Sequence, residues 1–274
     1  MNIAPLHSPL VDATEFAPAA MLLAAGRGTR MRPLTDSTPK PLLPVHGHAL
    51  LDWHIAALLR DGVQHLVVNT AWLGMQIPAH LNARWHHEID TGLILAYSNE
   101  HDDFGHALET AGGISRALTQ LPPVFWLAAG DVFAPDFIFD AAIFRTFARS
   151  DDLAHLWLVA NPAHNPDGDF GISTTGRALN LPPSSVQSRY TYSTIALLKA
   201  ALFHPPWCDI AAGNPNGQAA PLAPLLRRAM DAGRVGATYY PGHWTDVGTP
   251  ERLEMLNAEP LPLWATTPTG ANLV

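Results

Sequence analysis

The feature that most constrains the fold is a repeated alternation of short apolar runs with segments of helical periodicity. The runs at 21–25, 66–68 and 124–129 have the length and continuity of strands that are buried on both faces of a sheet. Between the first two runs, residues 49–60 place apolar side chains at helical spacing, and Gly62 follows as a stop signal. This alternation predicts an α/β fold with a mostly parallel sheet flanked by helices.

The same pattern divides the chain into four segments. Residues 1–18 contain three prolines and no periodicity, which predicts a flexible extension. The strand–helix alternation occupies 19–160, and residues 161–258 have shorter strands and clustered prolines and glycines. We expect this second half to complete the same domain and to cover its ligand. The proline-containing residues 259–274 are predicted to be a frayed tail.

Composition excludes several classes of protein. A hydrophobic fraction of 47% with only 15% charged residues excludes a disordered chain, and the net charge of −8 argues against a nucleic-acid partner. No apolar run approaches the ~20 residues that a membrane span needs. The single cysteine, Cys208, excludes a disulfide framework, and the first residues lack the basic region of a signal peptide. We therefore predict a cytoplasmic protein that does not associate with membranes.

A glycine-containing loop follows the first strand, where α/β sheets place ligand-binding loops. In Gly26-Arg27-Gly28-Thr29-Arg30-Met31, methionine occupies the third glycine position of a dinucleotide fingerprint, and no Gly-Lys-Ser/Thr follows as in a Walker A loop. Two glycines let backbone N–H groups approach a phosphate closely, and Arg30 offers a bidentate fork. The loop is therefore predicted to bind phosphate in another way than these two motifs.

Lys40 is delivered by a stiff segment. Pro39 and Pro41 flank it and restrict the backbone on both sides. Four of the sixteen basic residues, Arg27, Arg30, Arg32 and Lys40, fall within this short stretch of an acidic protein. The concentration of positive charge predicts a local polyanionic ligand.

Together these residues resemble a known signature. The run Leu23-Ala24-Ala25-Gly26-x-Gly28-Thr29-Arg30-Met31-x-Pro33-Leu34-Thr35, followed by Pro39-Lys40-Pro41-Leu42, is similar to that of the sugar-1-phosphate nucleotidyltransferases. The resemblance extends from about residue 20 to about residue 256. It implies a Rossmann-like fold of the nucleoside-diphosphate-sugar transferase type and a Mg²⁺-dependent reaction of a nucleoside triphosphate with a sugar 1-phosphate.

The resemblance also assigns roles to residues. It implies that Arg30 holds the β- and γ-phosphates and that Lys40 contacts the α-phosphate. It places the nucleotide in the 19–160 half and the sugar in the 161–258 half. The residues that it assigns to the nucleotide are Leu23, Ala24, Ala25, Gly26, Gly28, Thr29, Arg30, Lys40, Glu109 and Gly112.

Two aspartates are candidate metal ligands. Asp131 follows an apolar strand, and a carboxylate at the carboxyl end of a parallel strand faces the ligand crevice, although a turn aspartate is an alternative. Asp246 lies in Trp-Thr-Asp-Val-Gly-Thr and could likewise be a turn residue. The family has metal-binding aspartates at both places. With Arg30 and Lys40, Asp131 and Asp246 are the predicted catalytic residues, and Mg²⁺ is the predicted cofactor.

The base and the sugar are less constrained. Glu109 could accept a hydrogen bond from uracil or two from guanine, or could simply serve a helix N-terminus. The extended resemblance is strongest to uridylyltransferases, which implies UTP and N-acetylmuramate 1-phosphate in cell-wall recycling. The alternatives are a guanylyltransferase acting on mannose 1-phosphate and a non-catalytic nucleotide-binding homologue.

The acceptor site departs from the family pattern. Asp169, Arg189 and Ser193 are the predicted substrate-binding residues. Relatives carry a lysine where this chain has Pro221, and Arg189, Arg227 or Lys199 are possible replacements.

Overall fold

The structure is a computed structural model that describes residues 17–260. Its strands, numbered in chain order, build one large sheet and two small ones. They are β1 (Ala19–Ala24), β2 (Pro44–Val45), β3 (His48–Ala49), β4 (His65–Thr70), β5 (Ile94–Asn99), β6 (Val124–Ala129), β7 (Val132–Phe133), β8 (Ala154–Val159), β9 (Phe170–Ile172), β10 (Ala178–Leu179), β11 (Arg189–Lys199), β12 (Val235–Tyr239) and β13 (Thr245–Asp246).

The helices follow the strands as the sequence pattern predicts. They are α1 (Leu50–Arg60), α2 (Gln76–Arg84), α3 (His86–Asp90), α4 (His101–Phe104), α5 (Glu109–Ala117), α6 (Ala141–Arg149), α7 (Ala223–Asp231) and α8 (Pro250–Ala258). The Asp140 side chain caps α6, and the Thr249 hydroxyl caps α8 with Pro250 in the first turn. Among residues 17–260, no helix has the length and apolar character needed to span a membrane.

The large sheet contains nine strands. Seven of them lie in the order β10-β9-β11-β6-β1-β4-β5, and β8 pairs with β11 and with β12. Strands β6, β1, β4 and β5 are mutually parallel, as are β8 and β12. Strand β11 is antiparallel to β6, β8 and β9. The predicted α/β fold with a mostly parallel sheet is therefore confirmed, with β11 as a central antiparallel strand.

Both faces of the sheet are covered by helices. Alternate residues of β1 point to opposite faces, so that Leu22 packs in one core cluster and Met21 in the other. Helices α1, α2 and α6 contribute side chains to the first cluster, whereas α5 and α7 contribute to the second. These two layers fix the sheet and therefore the positions of its strand ends.

The predicted segments divide the sheet unevenly. Strand β11, from the 161–258 half, lies between β6 and β8 of the 19–160 half, so that one continuous sheet contains strands of both. The boundary at residue 160 stays a prediction. The predicted extension 1–18 and tail 259–274 lie, apart from residues 17–18 and 259–260, outside the described residues.

Candidate active site

A cavity of about 570 Å³ opens at the carboxyl ends of β1, β4 and β6. This is the edge where a parallel sheet binds its ligands. One wall comes from the first half of the chain, at Ala24–Gly26, Lys40 and Asp131. The opposite wall comes from the second half and includes Phe170, Tyr192, Thr194, Pro221, Leu222 and Leu226. Two groups of residues far apart in the sequence therefore enclose one site.

The glycine-containing loop beside the cavity has a defined conformation. Gly28 has φ +65°, and a Cβ there would lie 3.0 Å from Thr35 Cγ2 and 3.2 Å from Lys40 Cβ. Only glycine fits this position without strain. The Thr35 hydroxyl donates to the Gly28 carbonyl at 2.8 Å, and the Arg27 guanidinium stacks on the Trp72 ring at 3.5 Å from its centroid. The loop is thus fixed before any ligand binds.

Lys40 and Asp131 form an ion pair in the cavity wall. Lys40 Nζ donates to Asp131 Oδ2 at 2.5 Å. The lysine side chain is 9% exposed, whereas the aspartate is 42% exposed and faces the cavity. Lys40 begins a short 3₁₀ turn that runs to Leu42, with Pro39 directly before the turn and Pro41 inside it. The rigid segment that the sequence predicts therefore places the Lys40 ammonium group against the Asp131 carboxylate, in the wall of the cavity.

Asp246 lies on a strand that pairs with the segment after Asp131. In the β13–β7 ladder Asp246 is opposite Val132, and the Val247 N–H donates to the Asp131 carbonyl at 2.9 Å. The Asp246 carboxylate accepts from Arg252 at 2.5 Å and lies 2.9 Å from His164 Nε2. The backbones of the two predicted metal ligands are therefore adjacent, whereas Asp131 lines the cavity and Asp246 is not among its lining residues.

This donor set fits a hard cation such as Mg²⁺. Two carboxylates, completed by phosphate oxygens and water, are what Mg²⁺ commonly takes in proteins. Within residues 17–260 there is no cluster of three or more histidine, cysteine, aspartate or glutamate side chains that could hold a metal by themselves. A metal bound by these two carboxylates would take its remaining ligands from phosphate oxygens of the substrate and from water.

The structure places the predicted nucleotide residues unequally. Leu23, Ala24, Ala25, Gly26, Lys40 and Glu109 line the cavity. Thr29 and Arg30 are exposed on the loop and lie outside the lining. Gly112 is buried, and a Cβ there would lie 2.4 Å from the Gln218 carbonyl oxygen. Contacts of Gly28, Thr29, Arg30 and Gly112 with a nucleotide stay predictions.

The predicted substrate residues lie behind the cavity wall. The Ser193 hydroxyl is buried and donates to the Trp157 carbonyl at 2.7 Å, while Asp169 Oδ2 accepts from the Tyr192 N–H at 2.8 Å. Arg189 donates to the Asp169 carbonyl at 3.1 Å. None of these three residues lines the cavity. Asp169 and Arg189 hold the backbone next to Phe170 and Tyr192, and Ser193 ties β11 to β8.

A bulge in β11 brings Thr194 to the cavity. The register against β8 shifts between Tyr192 and Ala196, and Thr194 has φ +60°. This backbone region favours glycine, so that a threonine there is strained. The side chain that reaches the cavity in this segment is therefore Thr194, and the adjacent Ser193 faces the core.

The structure distinguishes the residues that could replace the missing lysine. Arg189 does not line the cavity, and the other two, Lys199 and Arg227, lie at different distances from it. Pro221 does line the cavity. Lys199 is opposite Val124, at the end of β6 remote from the cavity, and its Nζ donates to the Ser150 carbonyl. Arg227 stacks at 4.9 Å on Phe170, which lines the cavity, and donates to Asn180 Oδ1 at 2.6 Å. Arg227 is the nearer of these two cations.

Sequence reasoning missed several cavity residues. Asn69 and Glu100 line its floor, at the end of β4 and just after β5. A polar side chain at the carboxyl end of a predicted buried strand is the signal that could have found Asn69. Phe170 and Tyr192 carry no such signal, because their place depends on where β9 and β11 pair.

His54 lies beneath the Asp131 loop and gives a pH-dependent prediction. Burial lowers the pKa of this histidine from 6.5 to about 4, although backbone carbonyls of Val132 and Ala129 oppose the shift. Between about pH 4 and 6.5, His54 is therefore protonated in the unfolded chain and neutral in the folded chain. We expect the free energy of unfolding to fall by about 3 kcal/mol from this group between pH 6.5 and about 4, and to be unaffected by it above pH 6.5.

Comparison with His54→Asn isolates this contribution. The difference in unfolding free energy between the wild type and the variant is measured by denaturant titration at several pH values. It should shift in favour of the variant as the pH falls from 6.5 to 4. A difference that is constant with pH would contradict a neutral, buried His54.

Comparisons with known proteins identify the family of this chain. A family model described as "Nucleotidyl transferase" matches residues 19–261. The N-acetylmuramate alpha-1-phosphate uridylyltransferase of Neisseria meningitidis is 42% identical over 247 residues, covering 87% of this chain and 96% of that protein. The enzyme of the same name from Caulobacter vibrioides is 32% identical over 85% of this chain and 92% of its own length.

A solved structure shares the fold. The inositol-1-phosphate CTP transferase from T. maritima superposes with a TM-score of 0.66 over 88% of this chain and 95% of that chain, at 16% identity. At this identity the likeness establishes the fold alone. Together with the family match over nearly all of the described residues, it leads to one conclusion: the chain belongs to the nucleotidyl transferase family.

Proposed function

We propose that this chain joins UTP to N-acetylmuramate 1-phosphate, forming a nucleotide sugar and releasing pyrophosphate. The observation that carries the proposal is the convergence of Lys40 and Asp131, 2.5 Å apart, in the wall of a cavity beside a fixed glycine loop. The named relatives, which match over most of their length, support the choice of substrates. The product would return the sugar to cell-wall synthesis in the cytoplasm.

The proposed reaction is an in-line displacement at the α-phosphorus of the triphosphate. An oxygen of the sugar 1-phosphate forms the new P–O bond, and the bond to the bridging oxygen between the α- and β-phosphates breaks. Pyrophosphate leaves with that electron pair. The attacking phosphate is already anionic at pH 7, so no general base is needed. The main obstacle is the approach of two anions.

The chain's own residues reduce this obstacle by position and charge. Lys40 presents a buried cation at the cavity wall, held there by Asp131, where it would contact the α-phosphate. The loop from Gly26 to Arg30 offers backbone N–H groups and a guanidinium to the β- and γ-phosphates. Fixing both reactants in one cavity removes much of the entropy cost of their encounter.

Asp131 and Asp246 are the residues that would hold Mg²⁺. When bound, the ion supplies charge neutralisation on the phosphate oxygens. In this structure Lys40 pairs with Asp131, and Arg252 and His164 pair with Asp246, so that both carboxylates are already charge-balanced. The two aspartates are placed to exchange these partners for a metal.

The acceptor side of the cavity has an apolar character that favours an acylated sugar. Phe170, Leu222 and Leu226 line it, and Thr194 adds a hydroxyl. N-acetylmuramate carries two methyl groups, on its acetamido and lactyl substituents, that mannose lacks. Burying each methyl is worth about 0.8 kcal/mol, so the pair favours N-acetylmuramate over mannose by about 10-fold when the charged lactyl carboxylate keeps its contact with water.

Two other functions compete with this proposal. A guanylyltransferase acting on mannose 1-phosphate would use the same chemistry, and Glu109 at the cavity could accept hydrogen bonds from either base. A non-catalytic nucleotide-binding homologue would be expected to lack Lys40, Asp131 or Asp246, and all three are present.

Pyrophosphate release across substrates tests the proposal. With purified protein and Mg²⁺, we expect UTP and N-acetylmuramate 1-phosphate to give the highest kcat/KM. With UTP, it should exceed that of glucose 1-phosphate and mannose 1-phosphate by about 10-fold, and that of N-acetylglucosamine 1-phosphate, which lacks only one of the two methyl groups, by about fourfold. The panel contains four nucleoside triphosphates and the 1-phosphates of N-acetylmuramate, N-acetylglucosamine, glucose and mannose. A preference for GTP with mannose 1-phosphate would replace the proposal by the guanylyltransferase alternative.

A further inference from the structure

Two buried polar side chains on the cavity floor have no part in the mechanism above. Asn69, the fifth residue of β4, is 3% exposed, and Glu100, which directly follows β5, is completely buried. Asn69 Nδ2 donates to Glu100 Oε1 at 2.7 Å. A carboxylate buried to this extent is costly, and natural proteins retain one only where its partners compensate for the lost water.

The remaining oxygens of this pair bind two backbone N–H groups from distant parts of the chain. Ala24, at the end of β1, donates to Asn69 Oδ1 at 2.8 Å. Leu108, just before α5, donates to Glu100 Oε2 at 2.7 Å. Three hydrogen bonds in series therefore connect Ala24 to Leu108. We call the two side chains and their three bonds the Asn69–Glu100 bridge.

The direction of each hydrogen bond is fixed by the two backbone donors. Because the Ala24 N–H can only donate, it requires the oxygen of the Asn69 amide, and the amide NH₂ must then face Glu100. The Leu108 N–H likewise requires an acceptor, so that each Glu100 oxygen accepts one hydrogen bond. Burial raises the pKa of Glu100 above its usual value, and the hydrogen bonds from Leu108 and Asn69 offset only part of this increase.

The bridge joins two parts of the cavity wall. On one side, Ala24 leads into Ala25 and Gly26 of the phosphate loop; on the other, Leu108 leads into Glu109 and Thr110. Glu109 has φ +56°, a strained conformation for a residue with a side chain, which the surrounding structure must impose. The Leu108 carbonyl accepts from Ala220 at 3.0 Å, so that both backbone groups of Leu108 are held.

We propose that Asn69 and Glu100 are positioning residues that fix the segment Leu108–Thr110 relative to the phosphate loop, and thereby determine triphosphate affinity and base selectivity. Neither side chain needs to react. The inference rests on the proposed function, in which one end of the bridge faces the phosphates and the other the base. Without the bridge, the phosphate loop and the segment Leu108–Thr110, which would contact the two ends of one nucleotide, would no longer be held at a fixed distance from each other.

Exchanging the carboxylate and the amide between positions 69 and 100 tests this proposal. Glu100→Gln places an NH₂ group against either the Asn69 amide or the Leu108 N–H, so that two donors meet. Asn69→Asp places a second carboxylate against Glu100. In the double variant the carboxylate introduced at position 69 accepts from Ala24 and from the amide NH₂ introduced at position 100, and the oxygen of that amide accepts from Leu108. The double variant therefore restores all three bonds and the net charge with one direction reversed.

We expect each single variant to raise the KM and the calorimetric Kd for UTP by at least about 10-fold, the usual effect of leaving a buried polar group without its partner. Its preference for UTP over the other triphosphates should also fall, while kcat at saturating UTP changes much less. The double variant should return both quantities to within about threefold of wild type. Glu254→Gln, an exposed residue of α8, is the matched control.

The outcomes separate this inference from the proposed function. Single variants that melt at a lower temperature but keep wild-type KM and base preference would show a merely structural bridge and overturn the inference. The inference would also be overturned if the wild type is active and the double variant has a KM for UTP and a base preference no closer to wild type than those of the single variants. A wild type that binds UTP but releases no pyrophosphate with any sugar phosphate would overturn the proposed function alone. A wild type that binds none of the four triphosphates would overturn both.

Discussion

Lys40→Met is expected to lower kcat by about 10²–10³-fold while the protein stays folded. Lys40 is a buried cation at the cavity wall, and its contact with the α-phosphate would be strongest when charge accumulates in the transition state. Loss of one such preorganised donor typically costs about 2.7–4 kcal/mol of transition-state stabilisation. Methionine keeps the length and apolar contacts of the lysine stem, so that the change removes little besides the charge.

Steady-state pyrophosphate release and circular dichroism together check this prediction. Lys199→Met is the matched control, because Lys199 is the only other lysine and lies at the end of β11 remote from the cavity. We expect this control to retain turnover within about threefold of wild type, an effect far smaller than the loss of a catalytic donor. A folded Lys40→Met protein with near wild-type kcat would remove the assignment of Lys40 to the α-phosphate.

The contrast between Lys40 and Ser193 shows what the sequence could predict about the site. The prolines around Lys40 act through the local backbone, and the parallel strands that bring it to the cavity follow from the α/β pattern. Both signals are local. Ser193 and Thr194 are neighbours in a strand, and which of them reaches the cavity depends on the β11 bulge. A shift of one residue exchanges the two faces of a strand, and the local sequence does not fix that shift.

The antiparallel strand β11 marks a similar limit for the fold. Alternating strands and helices predict parallel crossovers, and the order β6-β1-β4-β5 obeys that rule. Residues 161–188 form only two short strands, β9 and β10, before β11 enters between β6 and β8. The direction of β11 depends on how it pairs with β6 and β8, which are distant from it in sequence. The helices were predictable because they needed only periodicity and caps, as at Thr249 and Pro250.

The Asn69–Glu100 bridge lay beyond prediction for a third reason. Two of its three bonds join residues that are 31 and 45 positions apart in the sequence. Two of the three use a backbone N–H, which every residue except proline possesses. No residue pattern identifies such a partner. What the sequence does contain is an asparagine at the end of an apolar run and a glutamate before a helix. Their relation appears only when β4 and β5 are adjacent.

Asp131→Asn and Asp246→Asn are each expected to lower turnover by at least about 10²-fold, and the double variant should be far less than multiplicatively worse. The backbone hydrogen bond from the Val247 N–H to the Asp131 carbonyl holds the backbones of Asp131 and Asp246 side by side, and we expect their carboxylates to bind one ion. If they share a metal, losing either one removes most of its effect, as for other residues that act as a unit. The required Mg²⁺ concentration should rise in both single variants.

The amide substitutions keep size and remove charge, and the two sites should respond differently in stability. Asp131→Asn leaves the 9%-exposed Lys40 without its ionic partner. Asp246→Asn leaves the more exposed Arg252, at 17%, to donate to the amide oxygen, with the amide NH₂ group facing His164 Nε2. The first variant should therefore melt at the lower temperature, because a buried cation loses its counter-ion. Asp140→Asn is the control, since asparagine caps helix α6 as well as aspartate does. Strictly multiplicative losses in turnover, or full wild-type activity in EDTA, would show that Asp131 and Asp246 do not share a catalytic metal.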